Sequence, residues 1–317
     1  MTHGKSGRGD AHGKAILMGE HAVVYGFPAV AVPLPEIKVS AEATSREGDD
    51  WLDCTYYRGP LQNAPSELAG LRLLIVEGLE RIKWRRPIGI TIRSDIPAGY
   101  GLGSSAAVAA AVAGALYHLA GAPLPRETLL ELVAVSETMC HGEPSGVDAQ
   151  ATTGLDPLWF VRGRSPEIVA IPTPMYLVVA ASSQPGNTRH TVQQVRALQE
   201  RLGSGTGPID RIGALTAASR PAIEHGDYPY LGALMIEVHR ELAALNAATS
   251  EVEQLVAAAL RHEALGAKLT GGGGGGSMVV LAKDIQQQRQ LADVLMSAGA
   301  TRVWTPIVRG TGLSAIN

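Results

Sequence analysis

The period of the apolar residues changes along this chain. Lys14–Glu20 (KAILMGE) and Pro28–Ala43 (PAVAVPLPEIKVSAEA) combine branched apolar residues with alternation, which predicts strands. Trp51–Gly59 (WLDCTYYRG), Ile88–Pro97 (IGITIRSDIP), Leu158–Gly163 and Met175–Ser183 read the same way. Ser66–Trp84 and Arg126–Met139 instead place apolar residues at helical spacing. The second half is richer in that period, which predicts helices over 191–202, 209–225, 228–248, 251–265 and 285–298. Between the last two, GAKLT and SMVVLA read as paired strands around six glycines, and a final strand is predicted over 301–308.

The pattern shifts near Arg162–Ile171, which predicts two domains, 1–168 and 169–317. Ala106–Leu124 imitates a membrane span, but it is mostly alanine, valine and glycine with His118 inside. Alanine and glycine contribute little transfer energy, so a buried helix is predicted and no membrane role. The polar N-terminus lacks an apolar signal core and is predicted to fray before about Ala11.

Composition narrows the function classes. The chain has 317 residues, 45% hydrophobic and 18% charged, with a formal net charge of −3. That profile is globular and gives no bulk basic character for nucleic acid. Aromatics at 4% argue against base-stacking platforms as well. The two cysteines, Cys54 and Cys140, form no CxxC and no metal spacing, which fits a reduced, cytoplasmic protein.

Three glycine-marked stretches carry candidate chemistry. Ile96–Val112 (IPAGYGLGSSAAVAAAV) alternates Gly99, Gly101 and Gly103 before a helix start, with Ser104 or Ser105 as the expected cap. A helix start presents unpaired N–H groups and positive dipole charge, which favours an anion such as phosphate. It is neither a GxxxxGK[ST] loop nor a dinucleotide fingerprint. A bland glycine turn reads equally well from spacing alone. In His12–Val32, a strand carries Lys14 and ends at Gly19, Glu20 and His21. In Gly266–Met278, six glycines inside a hairpin predict a close ligand approach over a flexible linker. Glu137 late on a helix and Asp148 after a Pro-Ser-Gly turn are two further carboxylates; read singly, they are a helix-surface Glu and a capping Asp.

Taken together and in order, GKAILMGEHAVVYGFPAVAV, GYGLGSSAA, HGEPSGVD and GAKLTGGGGGGS resemble the motifs of the GHMP kinase superfamily, nearest to its mevalonate kinase branch of the actinobacterial type. The resemblance spans nearly the whole chain. It implies an α+β, two-domain GHMP kinase fold: an N-terminal domain like ribosomal protein S5 domain 2 and a ferredoxin-like C-terminal domain. Departures are small: AHGK for the common APGK, Ala149 after Asp148, and Ser277 closing the third motif.

The resemblance further implies ATP-dependent phosphorylation of the C5 hydroxyl of mevalonate, with another small-molecule kinase of the superfamily as the alternative. Gly99, Tyr100, Gly101, Leu102, Gly103, Ser104, Ser105 and Ala106 would wrap the ATP phosphates. Ser105 and Glu137 would hold Mg²⁺. Asp148 would orient the attacking hydroxyl or take its proton, with Lys14 beside it keeping the carboxylate ionised. Glu20 and His21 would contact the acceptor, with Thr188 and Arg189 as further substrate-side candidates; a capping Thr and a surface Arg read equally well there. Gly271–Gly274 would shape the far wall. A homodimer is compatible with this resemblance.

Overall fold

The computed structural model describes residues 5–141, 145–203, 205 and 207–310. The chain groups into two compact units. The first holds the chain up to Gly13, Leu34–Pro97 and Gly103–Gly154; the second holds Lys14–Pro33, Ala98–Leu102 and the chain from Leu155 onward. The grouping is therefore discontinuous, and its main break follows Gly154 rather than residue 168. Two strands cause this, since β1 (Ser6–Met18) and β2 (Ala29–Ser45) each divide their residues between the units.

In the first unit, β3 (Trp51–Cys54) and β4 (Tyr57–Pro60) form a hairpin where the sequence suggested one strand. Helix α1 (Ala69–Arg81) leads into β5 (Ile88–Ser94), and the strand order is β4-β3-β5-β2. Ala41, Ala43, Ile88, Ile90 and Ile92 are all buried in the β2–β5 pairing. Three helices complete the unit: α2 (Ser104–Ala120), α3 (Arg126–His141) and the single-turn α4 (Val147–Ala151).

Helix α2 is the alanine run, and eleven of its residues are buried, including Ala106, Ala109 and Val112. Small side chains let neighbours approach its backbone closely. The expected fraying before Ala11 is corrected here: from Ser6 the chain is already strand. A Cβ on Gly7 would lie 2.1 Å from Leu119 N, and one on Gly9 would lie 2.1 Å from Ala111 O. The polar sequence SGRGD hides a strand because glycine, not an apolar side chain, is what fits against α2.

In the second unit, β6 (Leu158–Phe160) pairs with Ala29–Ala31 of β2 and with β7 (Glu167–Ile168). Then follow β8 (Met175–Ala181), α5 (Thr188–Leu202), α6 (Pro208–His225), α7 (Tyr228–Ala244) and α8 (Ser250–Arg261). The chain continues through β9 (Gly266–Thr270), β10 (Ser277–Ala282), α9 (Ile285–Ser297), β11 (Arg302–Trp304) and β12 (Ile307–Val308). The predicted 301–308 strand is thus broken in two, at Thr305-Pro306.

The sheet order is β11-β8-β10-β9, all antiparallel, with Val279 opposite Val179 and Lys268. Every residue of β9 and β10 is buried. Helices α7, α8 and α9 pack on this sheet, which explains strands that read as continuous apolar runs. No helix among the described residues is long and apolar enough to cross a membrane.

Candidate active site

The glycine turn and Lys14 come together within the second unit. Lys14 N donates to Leu102 O at 3.0 Å, and its ammonium donates to Gly101 O at 3.0 Å. Gly186 N donates to Gly99 O at 2.7 Å, which ties the turn to the segment before α5. Lys14 is only 2% exposed. Leu102 and, within α2, Ala106 are fully buried.

The cap of α2 differs from expectation. Gly103, at φ 76°, is the N-cap, without a side-chain hydrogen bond, and Ser104 and Ser105 are the first two helical residues. A left-handed cap is easy for glycine and strained for other residues. The first turn of α2 therefore has no side-chain cap from its N-cap residue.

In the first unit, Glu137 on α3 is 4% exposed, and Ser105 stands in the first turn of α2, the helix α3 packs against. Among the described residues, no three His, Cys, Asp or Glu side chains gather as a metal cluster. Two protein oxygens suit an ion that keeps waters and phosphate oxygens, as Mg²⁺ does, more than an all-protein cage. Asp148 is the second residue of α4; its carbonyl accepts from Thr152 N at 3.0 Å and Thr152 Oγ1 at 2.8 Å. The cap of α4 is Gly146, so Asp148 does not cap the helix. The segment 142–144 of the HGEPSGVD motif lies outside the described residues.

Glu20 and His21 follow Gly19 at the end of β1. Glu20 is buried and ion-paired with Lys268, whose side chain is 0% exposed. Burial pushes the Glu20 carboxyl up and the Lys268 ammonium down, each opposed by the partner's charge. His21 has φ 60°, unusual for a residue with a side chain. Burial pushes its pKa down to about 4, partly offset by the Gly272 backbone, so the ring is neutral at pH 7. Its Nε2 is buried and has no hydrogen-bond partner among the described residues.

The six-glycine loop is packed rather than slack. A Cβ on Gly271 would lie 2.7 Å from Gly101 Cα, and one on Gly272 would lie 2.3 Å from Thr188 Cγ2. The two glycine stretches thus touch backbone to backbone, and Thr188 meets the second through its methyl group. Asn187, not Thr188, caps α5, its side chain accepting from His190 N at 3.2 Å. The Arg189 side chain lies outside the described residues.

Lys268 escaped the sequence reading. Its signal is a lone lysine in GAKLT, a strand with apolar or small residues on every other position. A charge that the strand pattern cannot expose needs a buried partner.

The class follows from two family profiles. GHMP kinases N terminal domain matches residues 72–155, and GHMP kinases C terminal matches residues 219–300. A mevalonate kinase from Pyrococcus horikoshii is 33% identical over 94% of this chain and 95% of its own. The chain belongs to the mevalonate kinase family. A solved mevalonate kinase from Staphylococcus aureus is 32% identical, with TM-score 0.72 over 96% of this chain and all of that one. A phosphomevalonate kinase from Streptococcus pneumoniae is only 18% identical but has TM-score 0.80, over 94% of this chain and 99% of its own. Similarity of fold therefore does not separate one acceptor from another within these kinases.

Proposed function

We propose that this kinase transfers the γ-phosphoryl group of ATP to the C5 hydroxyl of mevalonate, giving 5-phosphomevalonate and ADP in isoprenoid synthesis. The observation that carries the acceptor is the end-to-end 33% identity with a mevalonate kinase. In the transfer, the hydroxyl oxygen bonds to the γ-phosphorus, the bond to the β,γ-bridging oxygen breaks, and the hydroxyl proton departs. Such chemistry asks mainly for positioning and charge stabilisation.

The Gly99–Ala106 backbone and the first turn of α2 receive the ATP phosphates. Mg²⁺ held by Ser105 and Glu137 would neutralise phosphate charge. Asp148 serves the acceptor hydroxyl, orienting it or taking its proton, and Lys14 supplies positive charge where an alkoxide develops. Neutral His21, with its unpartnered Nε2, suits a hydroxyl or carboxylate of the acceptor. Thr188, against Gly272, belongs to the same side.

The test is steady-state ADP release with Mg-ATP and a panel of alcohols: mevalonate, phosphomevalonate, homoserine and galactose. Mevalonate is expected to give the highest kcat/KM. The phosphomevalonate kinase fold likeness makes phosphomevalonate the second reading, and preference for it would overturn the first.

A further inference from the structure

Among the described residues, Lys268 is the largest side chain that is fully buried. No step of the proposed transfer uses it. Its ammonium donates to the Glu20 carboxylate, to Leu269 O at 2.7 Å and to Ile16 O at 3.3 Å. An ammonium has three donors, and all three are engaged. Two of the three bonds go to the stretch that begins at Lys14 and ends at His21.

A second strut runs beside the first. Thr270 Oγ1 accepts from Ile16 N at 2.8 Å and donates to Ile16 O at 3.0 Å. Thus β9 meets β1 through the side chains of residues 268 and 270, which share one face of the strand. Beyond Ile16 the chain turns at Gly19, at φ 98°, and the next residue at positive φ is His21. Between them Glu20 is held from the side by Lys268, and the charge of Lys14 also acts on that carboxylate.

A buried ion pair is a poor stabilising device, because desolvation offsets the attraction, and an apolar pair of the same volume often does better. What directional bonds do supply is a single geometry. We propose that Lys268 is a positioning residue: acting through Ile16 and Glu20, it holds Lys14 and His21 in the arrangement that binds and activates the acceptor alcohol, without touching that alcohol itself. This rests on the transfer reaction proposed above, in which Lys14 and His21 serve the acceptor.

The experiment compares Lys268→Met, Glu20→Gln and the double variant with the parent, by thermal melting and by steady-state kinetics in both substrates. Lys268→Met is expected to melt at lower temperature, since it leaves a buried carboxylate unpaired. The double variant removes both charges and is expected to recover most of the melting temperature. Its acceptor kcat/KM is nevertheless expected to stay about 10- to 100-fold below the parent, because small misplacements of reacting groups are expensive. The KM for ATP is expected to change far less.

A double variant with parental acceptor kinetics, or an equal loss toward ATP and acceptor, would overturn the inference. If Lys268→Met and the double variant are insoluble, Thr270→Val decides. It removes both Thr270 bonds to Ile16 and leaves the Lys268–Glu20 pair and the Lys268 bond to Ile16 O in place. A raised acceptor KM at constant ATP KM supports positioning, and unchanged kinetics overturns it. A parent that prefers a different alcohol overturns the acceptor assignment alone, and the same comparison is then read on that alcohol.

Discussion

The two glycine stretches do different work with the same residue. Along Gly99–Gly103 the glycines alternate with Tyr100 and Leu102, and the conformation is what demands them: Gly103 ends the turn with a left-handed cap that starts α2. Along Gly271–Gly276 five of the six glycines share that positive φ, and lack of space is a further demand. Gly272 shows this best, because its φ is not in the positive range and yet a Cβ there would strike Thr188. Gly101 and Gly271 meet at the border of the two cases, each with positive φ and each against the other's backbone. A glycine run can thus be as constrained as any apolar core, provided other backbone fills the space that side chains would take.

If the loops build the walls and charged side chains do the chemistry, the largest kinetic loss lies outside both. Asp148→Asn is expected to lower kcat by about 100- to 10,000-fold while leaving ATP-dependent thermal stabilisation intact. Rapid-quench or coupled ADP assays, with a thermal shift in ATP, read both halves. Near-normal kcat would remove Asp148 from its role.

Next comes the border position. Gly101→Ala adds left-handed strain and a Cβ 2.8 Å from Thr270 O, and is expected to destabilise by about 2–4 kcal/mol with loss of ATP affinity. Gly163→Ala has a similar φ, 80°, but open space around it, and is expected to lose only about 1 kcal/mol with unchanged kinetics. Equal losses by chemical denaturation would mean that strain alone governs both sites.

Acid sensitivity should follow His21. Its pKa is about 4 in the fold, against an ordinary value near 6.5. The unfolded chain therefore binds the proton first, so stability falls as pH drops below about 6.5 and levels off below about 4. The shift corresponds to about 3 kcal/mol. His21→Gln is expected to flatten that part of the stability profile, and an unchanged slope between pH 6.5 and 4 would assign the acid loss elsewhere.

The smallest effect sharpens the steric case. Gly272→Ala is expected to raise the acceptor KM by several-fold, on the order of 1 kcal/mol, and Thr188→Ser in the same chain to recover part of it by removing the colliding methyl. No recovery in the double variant would mean that Gly272 answers to something other than Thr188.

Much of this was legible in the order of residues. The helices of the second half, the GAKLT–SMVVLA hairpin and the buried alanine helix follow from period and apolar run length. The errors share a cause. The strand at Ser6 was missed because its fit to α2 comes from glycine rather than from apolar side chains. The caps fall just ahead of the Ser and Thr read as candidates: Gly103 takes a left-handed φ there, and Asn187 caps at least as well as a threonine. Lys268 carries no local signal of its role, since its full burial depends on elements far away in the chain, β1 and the covering helices.

By itself the sequence determined what periodicity and local chemistry carry: most of the helices and strands, where the glycine turn before α2 lies, and which family the motifs belong to. Tertiary structure alone decided which glycine faces which backbone, that Glu20 is held by Lys268, and that His21 stays neutral. The reason is that the first set depends on neighbours a few residues away, whereas a buried charge or a missing Cβ is decided by atoms some 250 positions distant along the chain, as between Ile16 and Thr270, 254 residues apart.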